Sequence, residues 1–389
     1  MKHPIFRRAA ALVMALLTLW AVAATVGSQS LPEALDSIRS DALPRQLVRW
    51  ELGDLFSPRS LSLATLMTLY QSPILLSAQA DLPAPAHEHD DRRDIPDDTP
   101  ASPPESQPET QPEPAARPAP LSELAEGLTF ADNGVHAETV NPTNTSNYAV
   151  AGDVLIRNRS ERDLDAAAMA SGDFAARYSS EGPQVLILHT HGSEAYSMPP
   201  GQEYTPTGSY RTDDTNVNVV RVGDEIAAVL STYGISVLHD RTLHDVPSYN
   251  DAYYNSYDAA VAYREKYPSL VYILDIHRDA VSDADGNQYK LVTLEDPNAA
   301  QVSFIMGVKQ EGWEENMKLA VAVQHTIQQS FPTLMRPISM VYANYNQGIT
   351  PGTLLVEIGA AGNSLDEAIY AGRLFAKGFA ETILAGREG

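Results

Sequence analysis

Residues 270–279 read LVYILDIHRD, an apolar run that passes directly into two acids, a histidine and an arginine. Such a run is typical of a strand that is buried on both faces of a sheet. Similar short apolar runs are found at 184–189, 234–240, 301–308 and 352–359. Helical patterns lie between most of them. Strands alternating with helices predict an α/β domain over residues 181–389, with a mostly parallel sheet and helices on both faces.

The helical segments carry their apolar residues at the spacing of one helix face. The expected core-facing residues are Val219, Val222, Ile226 and Val229 in one segment, and Tyr254, Tyr257 and Val261 in the next. The last helix is expected to follow Ser364. The sequence SLDE at 364–367 predicts a capping box, in which the side chains of Ser364 and Glu367 satisfy each other's backbone N–H groups.

The chain begins with basic residues followed by a long uncharged apolar run to about residue 27. Its length predicts a transmembrane anchor within residues 1–30 with the basic end in the cytoplasm. A cleaved signal peptide is the alternative, and both place the remaining chain outside the cytoplasm. Residues 31–80 are expected to be a juxtamembrane segment that lies near the membrane surface.

Residues 81–120 contain eleven of the chain's 27 prolines, among acidic and polar residues. A segment of this composition predicts a disordered linker, because it cannot bury enough apolar surface to offset the entropy of ordering. The sequence HEHDDRRD at 87–94 has metal-like spacing, but nothing rigid is expected to hold it. Residues 121–180 are expected to form a small extension of β or extended type before the main domain.

The 389 residues carry a formal net charge of −23 and contain no cysteine. The negative charge argues against a nucleic-acid partner, because no excess of basic residues is available to neutralise phosphates. Without cysteine, a zinc ion would have to be held by His and carboxylate ligands. Structural zinc sites are usually rich in cysteine, so an all-N/O site favours a catalytic role.

Three of the predicted strands end in groups that can bind a metal or move a proton. Since sites in such sheets form beyond the carboxyl ends of the strands, these groups are expected to lie together. They are His189, His191 and Glu194 after the first strand, Asp275, His277, Arg278 and Asp279 in the second, and Glu357 in the last.

Two ligand sets are open at the first strand. If the strand continues, His189 and His191 project to the same side and form an H-x-H pair. If it ends earlier, His191 and Glu194 form an H-x-x-E pair on a turn with His189 behind them. His277 completes either set to the three protein ligands of a catalytic zinc site. Asp275 or Asp279 is then expected to orient the other ring nitrogen of His277.

Glu357 lies in an apolar strand, where a carboxylate is costly unless it has a partner or a task. One interpretation is an ion pair with Arg278 or another cation. The other is a general base that takes a proton from water and passes it to a leaving amine.

Five motifs between residues 183 and 385 resemble the stage II sporulation protein P family. They are VLILHTHGSEAY, HDRTLHDVPSYNDAYYNSY, YILDIHRDA, YNQG and LLVEIGAAGNSLDEA. The resemblance implies a membrane-anchored, zinc-dependent cell-wall hydrolase related to the N-acetylmuramoyl-L-alanine amidases. It also implies possible cleavage of peptide cross-links. It implies action on peptidoglycan at the sporulation septum during engulfment, with a stage II sporulation protein D-like hydrolase and a membrane protein as partners.

The resemblance implies that His191 and His277 are metal ligands and that Glu357 is the catalytic glutamate. The third ligand departs from the general amidase pattern, in which it precedes the first helix. This chain offers only Asp213, Asp214 and Asn216 there, so Glu194 is the better candidate, with His189 as the alternative ligand.

Several further residues are expected near this site. Tyr345, Asn346 and Gln347 are expected to line a substrate groove or to form a plain polar loop. His239 and His244 are expected to be structural. Two other functions stay open: a zinc carboxypeptidase that holds a terminal carboxylate through Arg278 or Arg211, and a non-catalytic wall-binding scaffold.

Overall fold

The computed structural model describes residues 121–283 and 286–386, which form one α/β domain. Short 3-10 turns lie at Leu121–Ala125 and Tyr249–Asp251. The elements in chain order are β1 (Ala137–Glu138), β2 (Ala149–Ala151), β3 (Val154–Asn158), α1 (Ala166–Met169), β4 (Val185–Leu188), α2 (Val219–Thr232), β5 (Val237–His239), α3 (Ala252–Lys266), β6 (Tyr272–Asp279), β7 (Lys290–Leu291), β8 (Val302–Gly307), α4 (Trp313–Gln328), β9 (Ile338–Val341), β10 (Gly352–Ala360) and α5 (Leu365–Ala385).

Eight strands form the main sheet in the order β2-β3-β9-β8-β10-β6-β4-β5, and β1 pairs with β7 in a separate two-stranded sheet. Within the main sheet, β10 and β8 are antiparallel, as are β2 and β3, and the other pairs are parallel. The mixed α/β architecture and the mostly parallel sheet are therefore confirmed. The carboxyl ends of β4, β6 and β10 lie at one edge.

The two faces of the sheet are covered unequally. Helices α2, α4 and α5 pack on one face, where alternate strand residues such as Ile187, Ile276 and Val356 join the main core. Helix α3 covers the other face near β4 and β6, where Leu186 and Ile273 form a second apolar cluster. The remaining residues on this second face of β6 include Asp275 and His277, so the chemistry-bearing side chains lie beside α3.

Helix α3 uses a different face from the one that the sequence predicted. Ala252, Ser256 and Ala260 are its buried residues, whereas Tyr254 and Tyr257 are more than a third exposed. Small residues on the inner face allow the helix to approach the polar part of the sheet closely. The expectation that the tyrosines point into the core is wrong.

Residues 121–180 are part of the same domain rather than a separate extension. Strand β3 pairs with β9 through Ile156 and Ile338, and β2 forms the sheet edge. Val154 and Ile156 are fully buried, and Phe174 belongs to the same core. The β character of this segment was expected, but the boundary at residue 181 does not separate two folding units.

The start of α5 agrees with the sequence. Ser364 caps the helix, and the reciprocal bonds of the capping box with Glu367 are present. Glu367 also accepts a hydrogen bond from Lys290 Nζ at 3.0 Å, which ties β7 to the helix start.

The predicted anchor at 1–30, juxtamembrane segment at 31–80 and linker at 81–120 lie outside the described residues. Among residues 121–283 and 286–386, no helix combines the length and apolar character that a membrane crossing requires.

Candidate metal and catalytic site

The segment after β4 brings His191 and Glu194 together on a turn. The strand ends at Leu188, and Glu194 N donates to His191 O at 3.0 Å, which closes the turn. Both side chains are almost fully buried. Because the strand does not continue through His189, the H-x-H arrangement is absent here and the H-x-x-E arrangement is present.

His277 on β6 lies between two carboxylates. Its Nδ1 is 3.4 Å from Glu194 Oε2, and its Nε2 is 2.9 Å from Asp275 Oδ1. The second contact lacks the alignment of a hydrogen bond, and Nε2 has no hydrogen-bond partner among the described residues. The His191 ring crosses that of His277 almost perpendicularly at a centroid distance of 5.4 Å.

Asp275 is itself fixed by the chain that follows β4. Thr190 donates to it twice, from the backbone N to Oδ1 at 2.8 Å and from Oγ1 to Oδ2 at 2.6 Å. Burial opposes ionisation, but His277 and these bonds hold the pKa of Asp275 below its usual value. The ionised carboxylate thus connects the β4 turn to the ring of His277. Of the two candidates, Asp275 contacts this ring and Asp279 pairs with Arg336.

Glu194 is held as a carboxylate by neighbouring cations. Arg278 Nη1 lies 3.8 Å and Arg211 Nη2 3.7 Å from Glu194 Oε1, and the backbone N of Arg278 donates to Oε2 at 3.2 Å. Although burial opposes it, Arg278 and His277 hold the pKa of Glu194 well below its usual range. A buried, ionised carboxylate is therefore available at this point.

Both arginines are already engaged. Arg278 donates from Nε to Ala195 O and from Nη2 to Tyr210 O. Arg211 Nη1 contacts Asp245 Oδ2 at 2.9 Å and Ser193 Oγ at 3.1 Å. These bonds fix the loops around Glu194, and they engage both guanidinium groups.

Glu357 on β10 is the partner of His277 in the β6–β10 register and of Ser303 in the β8–β10 register. Its Oε2 is buried without a hydrogen-bond partner among the described residues. Burial, reinforced by Asp279, raises the pKa of Glu357 to about 8. Perturbed carboxyl groups of this kind are typical of catalytic acids and bases. One of the two interpretations of Glu357 was an ion pair with Arg278 or another cation; in the structure Arg278 approaches Glu194 instead.

A bulge follows Glu357 immediately. The β6–β10 register shifts between Glu357 and Ala360, and Gly359 adopts a left-handed conformation at φ 69°. Bulges commonly re-aim side chains beside active sites. Gly359 N then bonds Gln301 O at 2.9 Å, which fixes the new direction of the strand.

The charges of the site favour a cation at its centre. Against the desolvation of burial, Asp275 and Glu194 raise the pKa of His277 well above its usual value. Burial and the neighbouring His277 lower the pKa of His191 to about 4. One imidazole is thus drawn towards the protonated form while the other stays neutral, because two carboxylates attract one positive charge.

Within the described residues, no three His, Asp or Glu side chains are arranged to hold a metal ion as they stand. The donor chemistry nevertheless fits zinc. Two donors of a tetrahedral site with bonds of about 2.0–2.2 Å lie about 3.3–3.6 Å apart, and His277 Nδ1 and Glu194 Oε2 are at this separation. His191 Nδ1 is buried and has no hydrogen-bond partner within residues 121–283 and 286–386. Completing the set requires this nitrogen to approach the other two.

His189 lies outside this group. Its Nδ1 donates to Ile276 O at 3.0 Å, and its Nε2 lies 2.8 Å from Nε2 of His239. Burial, with His239 beside it, lowers the pKa of His189 to about 3. Both nitrogens are engaged, so we leave His189 out of the ligand set. Asp213 and Asp214, the alternatives before α2, are exposed.

The loop before β10 supports the site more than it lines a groove. Gln347 is fully buried, accepts from Gly307 N at 2.7 Å and donates to Ile305 O at 2.8 Å. Asn346 donates to Tyr253 O at 2.8 Å. Gln347 is too deeply buried to line a groove, whereas for Asn346, which is partly buried, a place in the groove stays a prediction. Tyr345, the third residue of this loop, packs its ring 5.7 Å from the ring of Tyr253.

An aromatic rim was missed by reasoning from sequence. Tyr249 stacks on the His191 ring at 4.3 Å while remaining half exposed, and Tyr253 meets the same ring edge-on. The guanidinium of Arg211 lies 4.4 Å from the centre of the Tyr249 ring. The tyrosine-rich stretch SYNDAYYNSY at 248–257 was the available signal. The buried pair of His244 and Asp240 is structural, as expected.

Comparison with known proteins connects this site to a family. Residues 91–380 match the family described as Stage II sporulation protein P (SpoIIP). The chain belongs to this family. The SpoIIP relative from Bacillus subtilis (strain 168) is 29% identical over 212 residues, which are 51% of this chain and 50% of the relative. The chain therefore spans about half the length of the curated relative that it matches.

Two solved amidase structures are similar to this chain, at low sequence identity and low TM-score. The N-acetylmuramoyl-L-alanine amidase AmiC2 of Nostoc punctiforme is 16% identical, with a TM-score of 0.31 over 53% of this chain and 96% of that one. An N-acetylmuramoyl-L-alanine amidase from Clostridium difficile 630 is 19% identical, with a TM-score of 0.34 over 52% and 96%.

Proposed function

We propose that this SpoIIP-family chain is a zinc-dependent peptidoglycan hydrolase that cleaves the amide bond between N-acetylmuramic acid and L-alanine. One observation carries the proposal. The β6–β10 register places Glu357 beside His277, and Glu194 approaches the same histidine to 3.4 Å. Two potential metal ligands and a carboxyl group of raised pKa thus meet at one edge of the sheet.

His191, Glu194 and His277 would hold the zinc ion. When bound, zinc would polarise the amide carbonyl and lower the pKa of a water molecule towards about 7. Asp275 keeps the ring of His277 in place, and Thr190 keeps Asp275 in place. Arg278 and Arg211 hold the loops that carry Glu194.

Glu357 is the proton carrier in this proposal. It takes a proton from the attacking water and delivers it to the amide nitrogen as the bond to the muramoyl carbonyl breaks. A pKa near 8 is close to the operating pH, as acid–base catalysis requires. A cation in the site favours the ionised form, which is the form that can accept the proton.

The engaged arginines favour an amidase over a carboxypeptidase. A carboxypeptidase must bind the terminal carboxylate of its substrate with a cation. The two arginines considered for this task, Arg278 and Arg211, are committed to Ala195, Tyr210 and Asp245. An internal amide bond makes no such demand on the site.

The cellular setting is part of the same proposal. The family and the predicted anchor support a membrane-attached domain outside the cytoplasm, acting on septal peptidoglycan during engulfment. A stage II sporulation protein D-like hydrolase and a membrane protein are the proposed partners, and peptide cross-links are a possible further substrate class.

The test is digestion of purified peptidoglycan by the full chain, followed by mass spectrometry. We expect intact stem peptides with a free L-alanine amino group. A zinc chelator should abolish their release and added zinc should restore it. Release of single terminal amino acids would instead indicate a carboxypeptidase, and chelator-resistant digestion would contradict the zinc proposal. Glu314→Gln changes an exposed carboxylate on α4, so it is the matched control for the Glu357→Gln substitution and should digest like the unmodified chain.

A further inference from the structure

A row of polar groups, fully buried at His189 and partly exposed at Asp224, connects helix α2 to the strand that carries His277. Asp224 Oδ1 lies 3.1 Å from His239 Nδ1, and His239 Nε2 lies 2.8 Å from His189 Nε2. His189 Nδ1 then lies 3.0 Å from the carbonyl oxygen of Ile276. The row spans α2, β5, the end of β4 and β6.

The hydrogen atoms in this row follow from the last acceptor. A carbonyl can only accept, so His189 Nδ1 carries the hydrogen and donates to Ile276 O. His189 Nε2 must then accept from His239 Nε2. Each ring nitrogen of His239 faces an acceptor, Asp224 on one side and His189 on the other. All contacts of the row are therefore satisfied together only when both ring nitrogens of His239 carry hydrogen, one donated to Asp224 and the other to His189.

The last two members of the row, His189 and Ile276, lie close to the proposed zinc ligands in the chain. His189 directly follows β4 and stands two residues before His191. Ile276 directly precedes His277. The bond from His189 to Ile276 thus joins the two segments from which the histidine ligands project, and it adds to the β4–β6 pairing and to the bonds from Thr190 to Asp275.

Helix α2 is shaped to accept the pair of imidazoles. A Cβ atom at Gly223 would come within 2.6 Å of His239 Nε2 and 2.7 Å of His189 Nε2. Only glycine allows the helix backbone this close. Filling the same space would not require two histidines, because apolar side chains would do so without the cost of burying polar groups.

We propose that His189 and His239, held by Asp224, are positioning residues that fix the separation of the two histidine-bearing segments in the zinc site. This inference rests on the proposed function and deepens it. None of the three residues binds zinc or substrate in this account. They act through the backbone at His191 and His277.

The experiment compares His239→Ala, His239→Gln and a matched control, His325→Ala, in the full chain. His325 is an exposed histidine paired with Asp153 at 2.8 Å, so it offers the same imidazole–carboxylate contact away from the row. Zinc affinity is measured by competition with a chelator, and thermal unfolding is measured without metal.

We expect His239→Ala to weaken zinc binding about tenfold, the lower end of the range for residues that orient metal ligands. Without metal, the variant should still unfold in one cooperative transition, which shows that the loss of zinc affinity does not come from a loss of folding. His239→Gln, whose amide can still donate to His189, should recover part of the affinity. His325→Ala should bind zinc like the unmodified chain.

A folded His239→Ala chain with unchanged zinc affinity overturns this inference but leaves the proposed function intact. An unmodified chain that binds no zinc overturns both. If His239→Ala does not fold, Asp224→Asn decides the question. The new side chain is isosteric and its position is partly exposed, so it should weaken zinc binding by less than the about tenfold loss expected for His239→Ala. Unchanged affinity in that variant would also overturn the inference.

Discussion

His277 and Glu357 are direct neighbours across parallel strands β6 and β10. Their side chains project to the face of the sheet that lies beside α3, and the charge state of each affects the other. Because the strands are hydrogen-bonded at this register, the distance between the proposed ligand and the proposed base is set by the backbone. A one-residue slip would turn one of them into the main core.

Loss of His191 is expected to remove zinc. His191→Ala deletes the buried Nδ1, which has no hydrogen-bond partner in the part of the chain that the structure describes, and two protein ligands are too few for a catalytic zinc site. We expect less than stoichiometric zinc by elemental analysis of the purified full chain. Equal zinc in His191→Ala and in the unmodified chain would exclude His191 as a ligand.

Gln347→Ala is expected to affect stability and not substrate binding. The change leaves Gly307 N and Ile305 O without their partners inside the protein, at a cost of about 2–4 kcal/mol. Thermal or urea unfolding measures this loss, and KM for peptidoglycan fragments should stay the same. Gln329→Ala, an exposed glutamine that directly follows α4, is the control. A raised KM with normal stability would restore Gln347 to the substrate groove.

Residues 121–180 are expected to be required for folding. A chain that begins at residue 181 lacks β2, β3 and the buried side chains of Val154 and Ile156, so β9 loses its partner strand. We expect no cooperative thermal transition by circular dichroism for that chain. A chain that begins at residue 121 should unfold cooperatively. Equal, cooperative unfolding of both chains would show that the segment is an appendage.

Asp224 should contribute stability that disappears in acid. Although burial opposes it, His239 and Arg241 lower the pKa of Asp224 from 3.8 to about 2. A carboxyl group with a lowered folded-state pKa stabilises fully above pH 4 and loses its effect as the pH falls towards 2. Asp224→Asn should therefore unfold at a lower temperature than the unmodified chain at pH 7, and the gap should close between pH 4 and pH 2. A gap that stays constant over that range would contradict this origin.

Much of the fold could be predicted because strongly apolar strands and capped helices carry their own signal. The run LVYIL and the SLDE box both gave elements at the expected places. Strand β9, with the short sequence ISMV after a proline, was not predicted, because four residues show too little periodicity. The prediction of which face of α3 is buried was wrong, because small residues and not the tyrosines contact the sheet.

The candidate site was predictable as a set of strand ends but not in its details. Whether His189 or His191 faces the site depends on where β4 stops, and a strand end cannot be read to within one residue from sequence. Gln347 and Asn346 looked like loop residues, because their backbone partners come from β8 and α3, which only the tertiary fold brings near.

The most direct test of the central claim is Glu357→Gln in the full chain, with zinc content and peptidoglycan digestion measured on the same sample. We expect unchanged zinc content, because Glu357 is not a ligand in the proposed site. We expect the digestion rate to fall about 10²–10⁴-fold, because the amide cannot carry the proton. A variant that retains zinc and digests peptidoglycan at the unmodified rate would contradict the account.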